Sequence, residues 1–569
     1  MSSIASLLDK LENAKRQFDD RSRTRVAKLL DSLGRRQFAD VEQLIRFHET
    51  LLFVRAHPSG PEIFQLAKEL LSSFATRVEQ LLAKRIDPIA FDYIEYSGIA
   101  GTVLSGRFSY DVSRWLLRRY SGRVDINWDK YESLEKLAVV LPQALPLFYE
   151  DSLVEANIPY RKWLEAAIGE NNSLKWMIAR FEQLNISERE KTLIYNSLEL
   201  PVLWEMAETS ASRTSNTRNP QKVFFHTEPL IARKDVSLAK ELDSAAVALE
   251  RVSKSEGKEI IDMARATISV RYRELYGITH GDERSVVRAD LGRGVEVFLW
   301  GLPVERRLPL RAYHAGFTLR NGVPINYIEG ITLFERMEVG FNTFYTYREG
   351  ESAWVYVRVL KLLNQITGAT CFSIDPYQIG HHNQEAIESG AFWFYRKLGF
   401  RPTRPDLIKL VEREEKKIAA DSSYRTPQRT LRKLATEPVI YEHNSTGGEW
   451  DRFRIRNIAL AVERRMAESF DSDSKKMSDS AMRKIARALE IDRTKLAASE
   501  QTVFEDMSFA LALVSDLEKW TDEEKRELTK SIRAKADRDE SRYARLLQKQ
   551  ARLRKAMIRL GSDQDEAGA

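Results

Sequence analysis

Cysteine is almost absent from this sequence: Cys371 is the only one in 569 residues. One cysteine cannot form an intrachain disulfide, and its isolation excludes a zinc site built from several thiolates. The surrounding segment, ATCFSID, is apolar and strand-like, so we expect Cys371 to be a buried, inert thiol rather than a nucleophile. This cysteine content fits a reducing compartment, and we expect a cytoplasmic location.

Long apolar runs are also missing. No uninterrupted apolar segment approaches the roughly 18 residues that a helix needs to cross a bilayer. The opening stretch, MSSIASLLDKLENAKRQFDD, lacks the apolar core and the cleavage site of a secretory signal. We therefore expect a soluble chain with no membrane partner.

A large excess of charge of one sign is missing too. The chain has 89 Lys and Arg residues and 83 Asp and Glu residues, so its formal net charge is only +6. Such a balance gives little general attraction for a polyanion, and any basic binding site has to be local. The clearest local candidate is 541–560, which contains seven Lys or Arg residues and no acid. This segment could contact nucleic acid, although a solvated helix face gives the same pattern.

What the sequence does contain is a long helical pattern at each end. Apolar residues recur at three- and four-residue steps through PEIFQLAKELLSSFATRVEQLL, and Pro61 stands where it favours a helix start. We predict an all-α domain over 1–207. Near the other end the pattern is again helical, and Thr521 and Glu524 have the spacing of a capping box. We predict a helical C-terminal region over 446–569.

Between these regions the hydrophobic period changes. Residues 208–235 begin with a stretch rich in Ser, Thr, Asn and Arg without periodicity, and we predict an exposed linker or loop there. After a helical run that ends at Gly277, β-branched and aromatic runs follow, and the Asn321-Gly322 pair between two of them is a strong hairpin signal. We predict an α+β domain over 236–445, with helices packed on a mixed, mostly antiparallel sheet.

The loop YREGESA, from Tyr347 to Ala353, carries the first sign of a binding site. It follows a predicted strand and opens a predicted helix, so several free backbone N–H groups point to one place. Gly350 permits a close approach of the backbone, Ser352 can donate a hydrogen bond, and Arg348 can pair with phosphate oxygens. These properties suit a pyrophosphate group, although an ordinary helix start after a turn has the same pattern.

The elements around this loop come in the order hairpin, long strand, loop, helix, buried strand and a helix that ends in FYRKLGF. This order resembles the GNAT superfamily of N-acetyltransferases over about residues 294–400. The family binds the pyrophosphate of acetyl-CoA with a (Gln/Arg)-x-x-Gly-x-(Gly/Ala) loop, whose marked positions here are Tyr347, Gly350 and Ser352. Arg348 follows the first position by one residue. The resemblance implies that acetyl-CoA or another acyl-CoA is a co-substrate held at this loop.

A second family motif, N-x-x-A-x-x-x-Y-x-x-L-G-F, matches this sequence from Ala391 to Phe400. Glu388 stands at the Asn position, and Asn383 begins another N-x-x-A five residues upstream. In the family this tyrosine often returns a proton to the thiol sulfur of CoA, and the resemblance gives that general-acid role to Tyr395. Packing in the core is the alternative role for its ring.

Acyl transfer to an amine also needs a base, because an ammonium group has no free lone pair. Glu338, on the strand before the loop, is the first candidate, and Glu335 and Glu329 are alternatives. An exposed strand carboxylate is the other interpretation of Glu338. The resemblance further suggests that backbone N–H groups around Phe344 and Tyr345 polarise the thioester carbonyl.

These features predict an acyl-CoA-dependent N-acyltransferase whose amine acceptor is a small molecule or a protein. Two alternatives remain open: a non-catalytic GNAT-like binding or scaffold domain, and a transferase that uses aminoacyl-tRNA. His381, His382 and Asp375 suggest a metal site, but no further ligand lies at a recognised spacing, so we expect a polar loop and no metal. The flanking helical regions could mediate oligomerisation or bind a partner.

Overall fold

The structure, a computed structural model, describes residues 3–84, 87–145, 158–207, 209–443 and 447–562. It is a mixed α+β protein in which helices precede and follow a large sheet. None of the described helices is long and apolar enough to cross a membrane. Helices and strands are numbered here in chain order.

The N-terminal helices are α1 (Ile4–Ala14), α2 (Asp20–Gly34), α3 (Val41–Ala56), α4 (Pro61–Ser72), α5 (Phe74–Leu82), α6 (Tyr110–Tyr120), α7 (Leu134–Ala144), α8 (Tyr160–Ile168), α9 (Ser173–Glu182) and α10 (Glu188–Ser197). The helices of the middle part are α11 (Leu238–Leu242), α12 (Lys254–Ser269), α13 (Tyr276–Thr279), α14 (Ser352–Thr367), α15 (Pro376–Ile379), α16 (Gln384–Glu388), α17 (Ala391–Arg396), α18 (Pro405–Ala420) and α19 (Gln428–Leu434). The C-terminal helices are α20 (Ile455–Phe470), α21 (Ser474–Leu489), α22 (Ala498–Leu511), α23 (Asp522–Lys535), α24 (Ser541–Leu547) and α25 (Ala551–Ser562).

The strands are β1 (Val103–Arg107), β2 (Val124–Ile126), β3 (Pro201–Glu205), β4 (Glu250–Arg251), β5 (Val287–Asp290), β6 (Val295–Trp300), β7 (Ala312–Arg320), β8 (Val323–Leu333), β9 (Arg336–Thr343), β10 (Cys371–Ile374), β11 (Arg401–Pro402) and β12 (Val439–Glu442). Within the described ranges, the last nine form one sheet in the order β11-β12-β10-β9-β8-β7-β6-β5-β4. All neighbours are antiparallel except β9 and β10. The prediction of a mixed, mostly antiparallel sheet with packed helices is confirmed.

The hairpin between β7 and β8 turns at the predicted pair. Arg320 pairs with Val323 across a two-residue loop. Asn321 and Gly322 both have positive φ, at 46° and 76°. A type I′ turn needs this conformation at both central residues, and Asn-Gly adopts it at low cost.

The parallel pair β9 and β10 positions the candidate site. The two strands run side by side for only three residue pairs, from Arg336 opposite Cys371 to Glu338 opposite Ser373. Beyond that point β9 continues to Thr343 beside β8 alone, while β10 ends at Ile374. The sheet therefore opens between these strands, and α14, which connects them, begins at the open end.

The prediction of an all-α domain over 1–207 is wrong in one respect. Strands β1, β3 and β2 form a separate antiparallel sheet within this range. A hydrophobic cluster that includes Trp204, Tyr110 and Phe181 packs around it. The helices α1 to α5, in contrast, share one hydrophobic cluster with the large sheet and with α14.

The segment 209–235 is buried in part, mainly over 209–216 and at His226, so it is not the fully exposed linker or loop that the composition of 208–235 predicts. Arg213, Thr214 and His226 are buried. The guanidinium group of Arg213 donates hydrogen bonds to the carboxylate of Glu49 and to a backbone carbonyl oxygen, at 2.7 and 2.6 Å. Arg213 and Thr214 are thus partners for buried groups of α3. The single helical run predicted before Gly277 is likewise divided, into α11, β4, α12 and α13.

The C-terminal helices pack against the large sheet through α24, which contacts β7 and β8. Tyr543 donates a hydrogen bond to the carbonyl oxygen of Leu310 at 2.6 Å, and both belong to one hydrophobic cluster. The predicted capping box of Thr521 and Glu524 is present at the start of α23. The basic segment 541–560 forms two helices, α24 and α25, and its Arg554 pairs with Glu335.

Candidate active site

A cleft of about 760 Å³ lies where β9 and β10 separate. One face of the β8–β9 pair forms its floor, with the side chains of Tyr327, Glu329, Ile331, Glu338 and Asn342 and with Gly340. The opposite wall comes from the residues after β10 and from α16 and α17, and includes Asp375, Gln378, Glu385, Phe394 and Tyr395. The end of the segment after α12, with Arg273 and Glu274, completes the cleft.

Tyr395 is a buried residue that lines this cleft. Only 5% of its surface is exposed, and its ring packs against the rings of Tyr356 and Phe400 at 5.7 and 5.6 Å. Among the described residues, no group accepts a hydrogen bond from its hydroxyl. Burial raises the pKa of Tyr395, so the phenol remains protonated at neutral pH. Gly399, with φ of 102°, makes the turn that follows α17 in a conformation that other residues rarely adopt.

Two predicted carboxylates share the floor of the cleft. Glu338 lies opposite Ile331 and Glu329 lies opposite Gly340, so the two acids are diagonal neighbours on one face. The Glu338 side chain is 32% exposed and lies 3.7 Å from the guanidinium group of Arg311. Glu329 accepts a hydrogen bond from the hydroxyl of Tyr313.

The environment of Glu329 raises the pKa of its carboxyl group above the usual value of 4.5. Burial raises the pKa of Glu329, and the negative charge of Glu338 raises it further, although the hydrogen bond from Tyr313 acts in the other direction. A carboxylate with a raised pKa is better suited to accept a proton from an ammonium group than an ordinary surface acid.

The third predicted carboxylate, Glu335, lies outside the cleft. It accepts hydrogen bonds from the guanidinium Nε of Arg554 at 2.8 Å and from the indole N–H of Trp450 at 2.6 Å. Although burial opposes its charge, these bonds hold the pKa of Glu335 below its usual value. Glu335 anchors the C-terminal helices to the sheet.

The start of α14 reaches the cleft through two of the predicted phosphate-loop residues. Ser352, the first residue of α14, and Arg348 both line the cleft. No side chain caps the helix start, so the N–H groups of its first turn are not used by a capping residue. The Arg348 guanidinium group donates a hydrogen bond to Glu385 on α16 and another, at 3.2 Å, to the carbonyl oxygen of Thr343.

The other predicted residues of this loop face the N-terminal helices. Tyr347 is buried against α3, and burial raises its pKa. A Cβ atom on Gly350 would lie only 2.8 Å from Nε2 of His57, so this glycine permits close contact with the end of α3. Ala353 is buried inside the first turn of α14. The structure does not bring Tyr347, Gly350 or Ala353 to the cleft.

Phe344 and Tyr345 do not line the cleft either. They follow the last residue of β9 and lead into a short 3₁₀ turn at Tyr345–Tyr347. The backbone N–H of Phe344 donates to the carbonyl oxygen of Ile325 at 3.0 Å. This N–H is therefore not available to polarise a thioester carbonyl. Sequence position alone could not reveal that β8 extends far enough to use it.

Gln378 is a cleft residue that the sequence did not indicate. Its side-chain amide accepts a hydrogen bond from the N–H of Phe341 at 3.2 Å and donates one to the carbonyl oxygen of Val339 at 2.7 Å. It thus takes the place of the missing neighbouring strand along the open edge of β9. Only the separation of β9 from β10 gives Gln378 this role, and no local motif encodes it.

The cleft also contains two carboxylates that no sequence motif indicates. Glu274 and Glu385 reach the cleft from different elements, and neither belongs to a motif. Asn383, which the second family motif singled out upstream, caps α16 by accepting a hydrogen bond from the N–H of Ala386 at 3.2 Å. Capping explains the repeated N-x-x-A spacing without a catalytic role.

The predicted polar loop contains the histidine pair. The rings of His381 and His382 contact each other edge to face at 4.2 Å. Asp375 caps α15 and lines the cleft. Among the residues that the structure describes, no three His, Cys, Asp or Glu side chains converge as metal ligands would. Cys371 is fully buried, and burial raises the pKa of its thiol to about 12, as expected for an inert cysteine.

We compared the chain with known proteins at three levels. Neither the protein-family models, nor the curated protein sequences, nor the solved structures contain a match to it.

Proposed function

We propose that the protein is an acyl-CoA-dependent N-acyltransferase whose reaction takes place in the cleft between β9 and β10. The observation that carries this proposal is the arrangement of Tyr395 and Glu329. A buried phenol without a hydrogen-bond partner and a carboxylate with a raised pKa line the same cleft. An acid and a base in one cleft are the two groups that amine acylation requires.

The acceptor amine has to lose a proton before it can attack. We infer that Glu329 takes this proton, because its pKa is raised and because Gly340, directly opposite, leaves room beside its side chain. Glu338, the carboxylate favoured by sequence spacing, contributes the negative charge that raises the pKa of Glu329. The amine nitrogen then forms a bond to the thioester carbonyl carbon, and the carbon–sulfur bond breaks.

The leaving thiolate needs a proton in return. Tyr395 has a hydroxyl that is protonated at neutral pH and has no hydrogen-bond partner among the described residues. It can donate this proton to sulfur and regain the one that the acylated nitrogen loses, while Glu329 releases the proton of the ammonium group to solvent, so the protons balance over the cycle.

The residues that would hold the donor are those at the start of α14. The free N–H groups of its first turn, the helix dipole and the guanidinium group of Arg348 favour an anionic phosphate group at this place. Ser352 adds a hydroxyl that now donates to the carbonyl oxygens of Tyr347 and Arg348, at 3.3 and 3.1 Å. The engagement of Arg348 by Glu385 means that donor binding has to break or share this ion pair.

The replacement Tyr395→Phe tests this assignment with Tyr356→Phe as its control. Tyr356 is a neighbouring buried tyrosine whose hydroxyl also lacks a hydrogen-bond partner in the described part of the chain, but it does not line the cleft. We expect Tyr395→Phe to lower the rate of thiol release from acetyl-CoA at least tenfold while donor affinity is retained, and Tyr356→Phe to keep the rate. Equal rates in both variants would remove Tyr395 from the mechanism.

A further inference from the structure

We propose that the acceptor of this reaction carries a second positive charge besides the amine that is acylated, as a diamine or polyamine does. This inference rests on the proposed function, because it names the substrate class of the same cleft. Its starting point is the charge of the cleft lining. Five carboxylates line the cleft, with two guanidinium groups, from Arg273 and Arg348.

The two guanidinium groups of the lining are directed to the same carboxylate. Arg348 donates a hydrogen bond to Glu385, and Arg273 lies 3.9 Å from it. The other four carboxylates, those of Glu274, Glu329, Glu338 and Asp375, have no partner among the cations of the lining. The carboxylate of Glu338 has a longer contact outside this lining, to the guanidinium group of Arg311 at 3.7 Å. The negative charge of the cleft is therefore left for a ligand to balance.

Glu329 is half-buried, whereas Glu274 is exposed. Burial raises the pKa of Glu329, so water compensates the charge of this carboxylate incompletely. Glu274 accepts a hydrogen bond from the N–H of Ser109 at 2.6 Å, which fixes its position without neutralising it. A ligand cation that enters the cleft would supply the opposite charge that the protein does not.

A second observation points to a ligand in this cleft. Tyr395 lines the cleft, and only 5% of its surface is exposed. Its hydroxyl has no hydrogen-bond partner among the described residues. Tyr377, which follows β10 on the same wall, is 57% exposed and also lines the cleft, where an aromatic face favours a cation. The cleft therefore offers an organic cation both carboxylates and an aromatic ring.

The positions of the carboxylates favour separated charges on the ligand. Glu329 and Glu338 lie on the floor, Glu274 lies after α12, and Asp375 lies after β10. Carboxylates on separate elements can each meet a different cationic group of one extended molecule. An amine with a negative second group would be repelled by the same residues.

The test compares three amines with a four-carbon chain: 1,4-diaminobutane, butylamine and 4-aminobutanoate. At the other end of the chain, 1,4-diaminobutane has a second ammonium group, butylamine has no charged group and 4-aminobutanoate has a carboxylate. With acetyl-CoA as donor and at constant ionic strength, we expect kcat/KM for thiol release to be at least tenfold higher for the diamine than for butylamine, and lowest for 4-aminobutanoate.

Two variants remove charge from the lining and keep the local hydrogen bonds. Glu274→Gln can still accept from Ser109, and Asp375→Asn can still cap α15, where Asp375 now accepts from Tyr377 N at 2.8 Å. Each is expected to reduce the preference for the diamine by about fivefold. Glu412→Gln, at an exposed position on α18, makes the same change of net charge and should keep the preference.

A binding measurement separates this inference from the proposed function. Without any donor, 1,4-diaminobutane should raise the thermal unfolding temperature of the full chain more than butylamine or 4-aminobutanoate does, and Glu274→Gln should reduce the difference. If the protein releases no thiol from acetyl-CoA but 1,4-diaminobutane still stabilises it more than the other two amines do, the proposed function is wrong and the inference of a ligand with two positive charges is supported. If the three amines give the same kcat/KM for thiol release, the inference is overturned. If no thiol is released and the three amines raise the unfolding temperature equally, the inference is overturned as well.

Discussion

Glu351, the residue directly before α14, carries the buried charge that holds the start of this helix. Its side chain is 0% exposed and pairs with Arg293 at 2.5 Å and with Arg320 at 2.7 Å. It also accepts a hydrogen bond from the N–H of Ile231 at 2.9 Å. In Glu351→Gln the neutral amide would leave the guanidinium group of Arg320, which is 1% exposed, buried without an opposite charge.

Removing one partner of a buried ion pair destabilises a protein by about 3–5 kcal/mol. We therefore expect Glu351→Gln to lower the free energy of unfolding by about this amount, measured by urea unfolding at pH 7. The control is Glu349→Gln in the same loop. Glu349 is 53% exposed and lies 3.6 Å from Lys15 and 3.5 Å from Arg16, so its loss should cost no more than about 1 kcal/mol.

The pH dependence gives a second check of the same substitution. Although burial opposes its charge, Arg293 and Arg320 hold the pKa of Glu351 below its usual value of 4.5. A depressed pKa in the folded state adds stability that is present above about pH 4.5 and is lost as the pH falls through the folded value. The difference between wild type and Glu351→Gln should shrink in that acidic range. A destabilisation below about 1 kcal/mol at pH 7, or one equal to that of Glu349→Gln, would refute this account of the helix start.

Two further predictions concern the chemistry of the cleft. Tyr313→Phe removes a hydrogen bond that lowers the pKa of Glu329, so the acidic limb of the kcat/KM profile should move to higher pH; an unmoved limb would show that Glu329 is not the base. Glu385→Gln frees Arg348 from its ion pair, so the dissociation constant for acetyl-CoA should fall about threefold or more in isothermal titration; weaker binding would mean that Glu385 positions Arg348 rather than competing for it.

Parts of the fold could be predicted because they depend on neighbouring residues. The hairpin needs only two residues that tolerate positive φ, and α14 needs a continuous apolar pattern that ends before Gly368. The small sheet could not be predicted, since β1, β2 and β3 are short and their pairing joins residues far apart in the chain. The buried segment after residue 208 was missed because its polar side chains find partners on α3.

The residues of the candidate site likewise fall into those that a local motif or spacing indicates and those that only the assembled fold brings together. Tyr395, Glu338, Arg348 and Ser352 were singled out by local motifs or spacing, and all of them line one cleft. Tyr347 and Gly350 fit the same loop motif, but the end of α3 occupies the space beside them. Gln378 and Glu274 enter the cleft only because β9 and β10 separate, and that separation is a property of the assembled sheet.

The most direct test of the central claim is isothermal titration of acetyl-CoA into wild type, Ser352→Asp and Ser474→Asp. Both serines are the first residue of a helix, where an Asp stabilises the helix, so both variants should fold. At Ser352, however, the added negative charge lies in the cleft where we propose that phosphate binds. We predict equal affinity in wild type and Ser474→Asp and at least tenfold weaker binding in Ser352→Asp. No saturable binding to wild type, or equal binding to all three, would contradict the assignment of this cleft to an acyl-CoA.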